Sequence, residues 1–177
     1  MNNRLFVPNA MLCVHAGIEA PHAPGRITDR ACALIHWGEW LPIETDYSRV
    51  IGELRRRGRR IVQVSHLKST GNVALLREIM RQVVLKALEL RATDIIAAVA
   101  PESAAAYARL HFADELFSDW QISLVPEARG ALREDVPPGR WILARDLNGG
   151  YLPIRVLRLD LAGVNEDVLE RFLSGGM

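Results

Sequence analysis

At 177 residues, with 49% hydrophobic and 24% charged, the chain can bury an ordinary core, which excludes a disordered segment. A net charge of +1 excludes the polycationic balance of a dedicated nucleic-acid binder. No apolar run reaches the roughly 18 residues that a membrane-spanning helix needs, and the opening MNNRLFVPNAM has no basic segment leading into an apolar one. A cytoplasmic protein without a membrane span is expected.

Met11–Ile18 and Ala31–Trp37 read as strands. The loop between them, Glu19–Arg30, holds Pro21, Pro24 and Gly25 and is expected to be exposed and mobile. Cys13 and Cys32 lie in the two strand-like runs and are expected as small buried apolar side chains rather than as a disulfide. No Cys/His spacing suits zinc, so no metal is expected. His15 and His36 alternate with apolar neighbours, a pattern that lets both face outward from a sheet.

Pro42, Glu44 and Asp46 open a helix of roughly Thr45–Arg57, with Thr45 or Asp46 as N-cap and Gly58 as the residue that stops it. Arg59–Leu67 is the next strand. The strongest helical pattern covers Asn72–Arg91: Val73, Leu76, Ile79, Met80, Val83, Val84, Ala87 and Leu88 recur at helical spacing, and Asn72 can cap it. A strand over Asp94–Val99 follows, then a helix from Pro101 to about Leu110. Trp120–Val125, Trp141–Asp146 and Pro153–Leu161 read as strands, Pro126–Pro138 as a loop and Asn148-Gly149-Gly150 as a turn. A short helix over Glu166–Leu173 precedes a loose Ser-Gly-Gly-Met tail. Strands at both ends and β-α-β-α in the middle predict one domain over residues 1–177, of α+β or mixed α/β class, with helices on the faces of the sheet.

The junction before the long helix is the most informative stretch. A β-branched strand ends in Val64-Ser65-His66-Leu67, and Lys68-Ser69-Thr70-Gly71-Asn72 turns directly into the helix. Strand, small-residue loop and helix N-terminus present backbone N–H groups and a favourable dipole to an anion. Gly71 permits close backbone approach, and an inward Lys68 adds charge. The same residues also suit a capped loop with nothing bound.

The run QVSHL at Gln63–Leu67 resembles the Glu-x-Ser-Arg-Leu/Phe stretch of N-acyl amino acid synthases and acyl-homoserine-lactone synthases. Upstream, LPIE and the run ELRRRGRRIVQVS are similar to the former. Downstream, AAVAPESAAAYARLHF resembles their Val-x-Pro-x-His-x-x-x-Tyr-x-x-x-x-Phe segment, and YLPIRVLRLDL their closing strand. The likeness covers roughly residues 40–162. It implies a GNAT-like acyltransferase fold: a central mixed, mostly antiparallel sheet flanked by helices. The superfamily's phosphate loop, Gln/Arg-x-x-Gly-x-Gly/Ala, is matched by Lys68, Gly71 and Val73, with Val in place of the last small residue.

The resemblance implies acyl transfer from acyl-CoA or an acyl-carrier protein to the amine of an amino acid or similar acceptor, with no permanently bound cofactor. Leu67, Lys68, Ser69, Thr70, Gly71 and Asn72 would hold the donor. Such chemistry needs a base or water relay, an oxyanion donor and a proton source for the leaving thiolate. A backbone N–H near Ser65–Leu67 is the implied oxyanion donor, and Tyr107 is the implied proton source, or else a packing tyrosine. Gln63 stands where the family has glutamate, and an amide takes no proton. His66 stands where the family has arginine; it is either a relocated base or a polar residue at a strand end. Ser103 occupies the place of the family's His or Arg. The families carry two helices before the first core strand, which here begins near residue 10. The acceptor site is then open, or completed by a partner, or the activity is lost.

Arg55, Arg56, Arg57, Arg59 and Arg60 form a basic run. It reads as a solvated helix end favoured by the dipole or as a docking patch for an acidic partner, acyl-carrier protein being the natural one; it lacks the interleaved aromatics of a nucleic-acid surface. Trp37, Trp40, Trp120 and Trp141 lie in or beside predicted strands, as core or rim, or lining an acyl tunnel. A two-fold homodimer is the default oligomer. Two functions of different class remain: an N-acyltransferase, or a catalytically degenerate GNAT-like module that binds an acyl donor or a protein partner.

Overall fold

The computed structural model describes residues 10–20, 23–69, 72–113, 142–145 and 151–174. In chain order these form β1 (Ala10–Ala20), β2 (Ala23–Trp37), α1 (Glu44–Arg56), β3 (Ile61–Ser69), α2 (Val73–Glu89), β4 (Asp94–Val99), α3 (Pro101–Arg109), β5 (Ile142–Arg145), β6 (Tyr151–Asp160) and α4 (Glu166–Ser174). Pairing is mostly antiparallel and helices accompany the strands, which is the expected mixed α+β class. The predicted Trp120–Val125 strand, the Pro126–Pro138 loop, the Asn148–Gly150 turn and both Trp120 and Trp141 lie outside the described residues.

The chain divides into two compact units. The first holds residues 1–95 and 160–177. In it β1 and β2 form a long antiparallel hairpin, in register from Ala10 opposite Trp37 to Ile18 opposite Asp29, and β2 pairs antiparallel with β3. The predicted loop Glu19–Arg30 is instead mostly strand. The hairpin continues to Ala20 opposite Ala23, with register shifts on both sides of Glu19. Those irregularities accommodate Pro24, which donates no ladder hydrogen bond, and Gly25 at φ 82°. Exposure is as expected: Gly25, Ile27, Thr28 and Arg30 face solvent.

α2 packs against β1, β2, β3 and α4. Its buried face is Leu75, Ile79, Met80, Val83, Val84 and Ala87. The predicted face was wider: Val73 is 60% exposed and Leu88 is at the surface. Position 75 joins the core because it follows the stripe 75, 79, 83 one turn apart. With Ile35, Leu41, Ile51, Val62 and Val64 these side chains make the core, each fully buried aliphatic stabilising by about 1.5–3 kcal/mol. Gln82 Nε2 reaches the His15 carbonyl at 3.3 Å, a polar tie from α2 to β1.

α1 starts one residue earlier than predicted, and neither Thr45 nor Asp46 is its cap. Ile43 is the N-cap, without a side-chain capping bond. The entry is satisfied differently: the Glu44 carboxylate accepts the Leu41 N–H at 2.7 Å, and Gln63 Oε1 accepts the Ile43 N–H at 2.9 Å. Gly58 follows the helix at φ 79°, as expected of its stop. Arg59 closes the far end of β3: it makes two hydrogen bonds to fully buried Asp94, at 2.8 and 2.9 Å, and another to Asp160.

The second unit is residues 96–159. Within it β6 lies between β4 and β5, and β5 pairs antiparallel with β6 from Ile142 opposite Ile154 to Arg145 opposite Tyr151. An antiparallel bridge joins Ala113 to Arg158. Its buried apolar residues include Ile96, Ala97, Val99, Ala104, Tyr107, Leu110, Phe112, Val156, Leu157 and Leu159.

Candidate functional site

The site grows from an irregularity in β3. Leu34 of β2 is opposite Ser65, and Cys32 is opposite Lys68. One residue of β2, Ala33, therefore faces two of β3, His66 and Leu67, which is a β-bulge. His66 takes up the excess length with φ 53°, in the left-handed region. Histidine tolerates that region better than bulky or β-branched residues do, but the conformation still stores strain. The bulge aims the exposed His66 ring back at its neighbour: Nδ1 is 2.9 Å from Ser65 Oγ.

A second imidazole meets the same hydroxyl. His36 Nε2 lies 2.7 Å from Ser65 Oγ across the β2–β3 pairing. A serine hydroxyl carries one proton, so it donates to one ring and accepts an N–H from the other. The result is a His36–Ser65–His66 relay. Burial first, and the like charge of His66 second, lower His36 below its ordinary value, so it is neutral at neutral pH and able to accept a proton. His36 was foreseen only as an outward-facing strand residue; its place in the relay depends on strand register, which sequence alone does not supply.

Gln63, two residues before Ser65, is 4% exposed and bound to the Ile43 N–H. Leu67 is half-buried in the bulge and Lys68 is exposed. Ser69 ends β3 opposite Ala31. Asn72 caps α2 as expected, its Oδ1 accepting the N–H groups of Ala74 at 3.0 Å and Leu75 at 3.4 Å; its Nδ2 points at Asp29 Oδ2, 3.4 Å away. Thr70 and Gly71 lie outside the described residues.

A cavity of about 600 Å³ opens beside the bulge, lined among others by His15, Gly17, Ile27, Arg30, Cys32 and Lys68. Arg30 and Lys68 make its charged lining cationic. The cysteines are not the buried residues expected: Cys13 is exposed, and Cys32 is half-buried with its thiol free, because odd and even positions of the hairpin face opposite sides and these two fall off the α2 side.

Tyr107 belongs to the second unit. It is buried on α3 with its ring edge-on to Phe112, centroids 5.1 Å apart. Burial pushes its phenol well above the ordinary value, so it holds its proton. Ser103, on the same helix, is half-buried.

The basic run is largely engaged inside the first unit. Arg55 pairs with Glu44 at 2.8 Å and donates to the Gly38 carbonyl at 3.0 Å, Arg57 pairs with Glu53, and Arg59 with Asp94 and Asp160. Arg56 and Arg60 are exposed. Trp40 is 50% exposed, and Trp37 lies under the Lys86 ammonium at 5.4 Å. Among the described residues no cluster of His, Cys, Asp or Glu suits a metal ion, and no helix is long and apolar enough to cross a membrane.

No curated protein matches this chain. Among solved structures, FeeM, an N-acyl amino acid synthase from uncultured soil microbes, matches 85% of this chain and 74% of its own with a TM-score of 0.51 and 13% identity, a likeness of fold. A family model described as N-acyl amino acid synthase FeeM matches residues 31–119. That stretch is half of the chain and contains the bulge, both imidazoles of the relay and Tyr107. On that match, the chain belongs to the N-acyl amino acid synthase family of FeeM.

Proposed function

We propose that this protein is an N-acyltransferase that moves an acyl group from a thioester, acyl-CoA or acyl-acyl-carrier protein, to the amine of an amino acid or a similar acceptor. The observation that carries this reading is the His36–Ser65–His66 relay on a bulged strand within the family-matched segment. Acyl transfer to an amine must remove a proton from the acceptor and return one to the leaving thiolate. A neutral imidazole bonded to a hydroxyl can do the first. For the second, the family resemblance proposes Tyr107, although burial in the second unit makes its phenol a weaker acid than usual. The bulge amides at His66 and Leu67 are candidate oxyanion donors. Arg30 and Lys68 line the adjacent cavity and suit the phosphate shared by CoA and the carrier protein's pantetheine arm. Leu67, Ser69, Thr70, Gly71 and Asn72 complete the proposed donor-binding stretch. Arg56, Arg57 and Arg60, the exposed arginines of the basic run, would meet an acidic carrier protein. The protein is proposed to act in the cytoplasm as a single GNAT-like acyltransferase domain.

One observation favours the second reading, a degenerate module that binds an acyl donor or a partner. Gln63 is buried and bound to Ile43, so this position supplies no base.

The test is incubation of the purified protein with long-chain acyl-CoA or acyl-acyl-carrier protein and a mixture of amino acids, followed by mass spectrometry for N-acyl products. Lys68→Glu should raise KM for the donor with a smaller change in kcat. Donor binding without product would favour the degenerate module. Absence of both donor binding and product would remove the acyltransferase and the donor-binding module, leaving only a module for a protein partner.

A further inference from the structure

We propose that Ser65 is itself a nucleophile, so that the acyl group passes through a covalent ester on its Oγ before the amine receives it. This rests on the acyl-transfer reading above and specifies its chemistry.

The argument is geometric. A hydroxyl is activated as a nucleophile when a base lies within hydrogen-bond reach, about 2.6–3.2 Å, and a further group orients the pair. Ser65 Oγ has two imidazole nitrogens within that range, at 2.7 and 2.9 Å. Direct attack by the amine would use a base or water relay at the acceptor, whereas both rings here bond the serine hydroxyl. The nearby Gln63 amide is neutral and held by the Ile43 N–H, so it does not compete for the proton. The left-handed backbone at His66 is strain located at the residue that turns its ring onto Ser65. Ser65 and His36 are half-buried and His66 is exposed, which leaves the cluster within reach of a substrate. The cation-lined cavity begins at Lys68, three residues along β3.

The chemistry balances without an added reactant. In the first step Ser65 Oγ bonds to the thioester carbonyl carbon and the C–S bond breaks. The hydroxyl proton passes to the accepting imidazole and on to the thiolate, which leaves as a thiol. In the second step the acceptor nitrogen bonds to the ester carbon and the C–Oγ bond breaks. A proton of the amine passes through the imidazole to Oγ, and the hydroxyl is restored. Water in place of the amine gives the free carboxylic acid.

The test uses the full chain with palmitoyl-CoA and palmitoyl-acyl-carrier protein, first without amine. The expected result is a burst of released thiol up to one equivalent, and a palmitoyl mass on the peptide bearing Ser65 after acid quench. Ser65→Ala should abolish the adduct and slow thiol release by about 10³-fold or more, the scale of losing a nucleophile. Ser65→Cys keeps the attack and should give an adduct cleaved by neutral hydroxylamine, which separates loss of chemistry from loss of folding. An adduct on Ser65 that never yields N-acyl product would support the nucleophile and remove the amine acceptor of the proposed function. N-acyl product formed at equal rates by wild type and Ser65→Ala, with no adduct, would overturn the nucleophile and leave N-acyl transfer standing. No thiol release from either donor would overturn both.

Discussion

Gln63 Oε1 accepts the Ile43 N–H at 2.9 Å in the interior, so one side-chain amide on β3 satisfies the start of α1, which has no side-chain cap of its own. The position that invited a catalytic comparison therefore has a structural partner. Gln63→Ala leaves that N–H without its acceptor and is expected to cost about 1–3 kcal/mol. Gln63→Glu keeps an acceptor but puts an ionisable carboxyl in a dry place; burial favours its neutral form, so its deficit relative to wild type should be larger at pH 8 than at pH 5. Thermal unfolding at the two pH values checks both.

Arg59 is the counter-charge of fully buried Asp94. Arg59→Met removes that counter-charge while the Thr93 hydroxyl still donates to Asp94, and is expected to destabilise by about 3–5 kcal/mol. Asp160→Asn, at a carboxylate more than a third exposed, should cost under about 1 kcal/mol. Urea unfolding of the two variants separates them, and equal losses would contradict the assigned roles.

Asn72 caps α2 through its Oδ1. Asn72→Ala should lose about 1 kcal/mol. Asn72→Ser should recover most of it. Asn72→Asp, a good cap elsewhere, should recover less here, because it replaces the amide facing Asp29 at 3.4 Å by a like charge. The order Asn, Ser, Asp, Ala in melting temperature is the readout.

Acid should weaken the fold in two windows. His36 has a folded value below its ordinary 6.5, so the unfolded chain binds its proton first. Its contribution is present above 6.5 and is lost as pH falls through the lowered folded value. His36→Asn should flatten that part of the stability profile. Glu78 is held down at about 2, by Arg81 first and Gln82 second. Its contribution is present above 4.5 and is lost as pH falls toward 2. The carboxylate is over a third exposed, so Glu78→Gln should show a small, salt-sensitive effect. Unfolding from pH 8 to pH 2 in low and high salt resolves the two.

Much of the fold was legible because it is locally encoded. The stripe through Ile79, Met80, Val83, Val84 and Ala87 specifies α2 and the side it buries, Asn72 and Gly58 mark helix boundaries, and Pro101 opens α3. The Glu19–Arg30 stretch was misread because Pro and Gly signal a turn wherever they stand, whereas a long twisted hairpin absorbs them in bulges. The helix cap at Ile43 was misread because its acceptor, Gln63, is distant in sequence.

The sequence by itself determined the class of fold, the strand-to-helix junction at Ser65–Asn72 and the resemblance that led to the family. It put Ser65 beside His66, since neighbours in a chain need no fold to meet. Only the tertiary structure decided that His36 joins them. That contact requires β2 to pair with β3 in one register, and a slip of a single residue would turn His36 to the opposite side of the sheet.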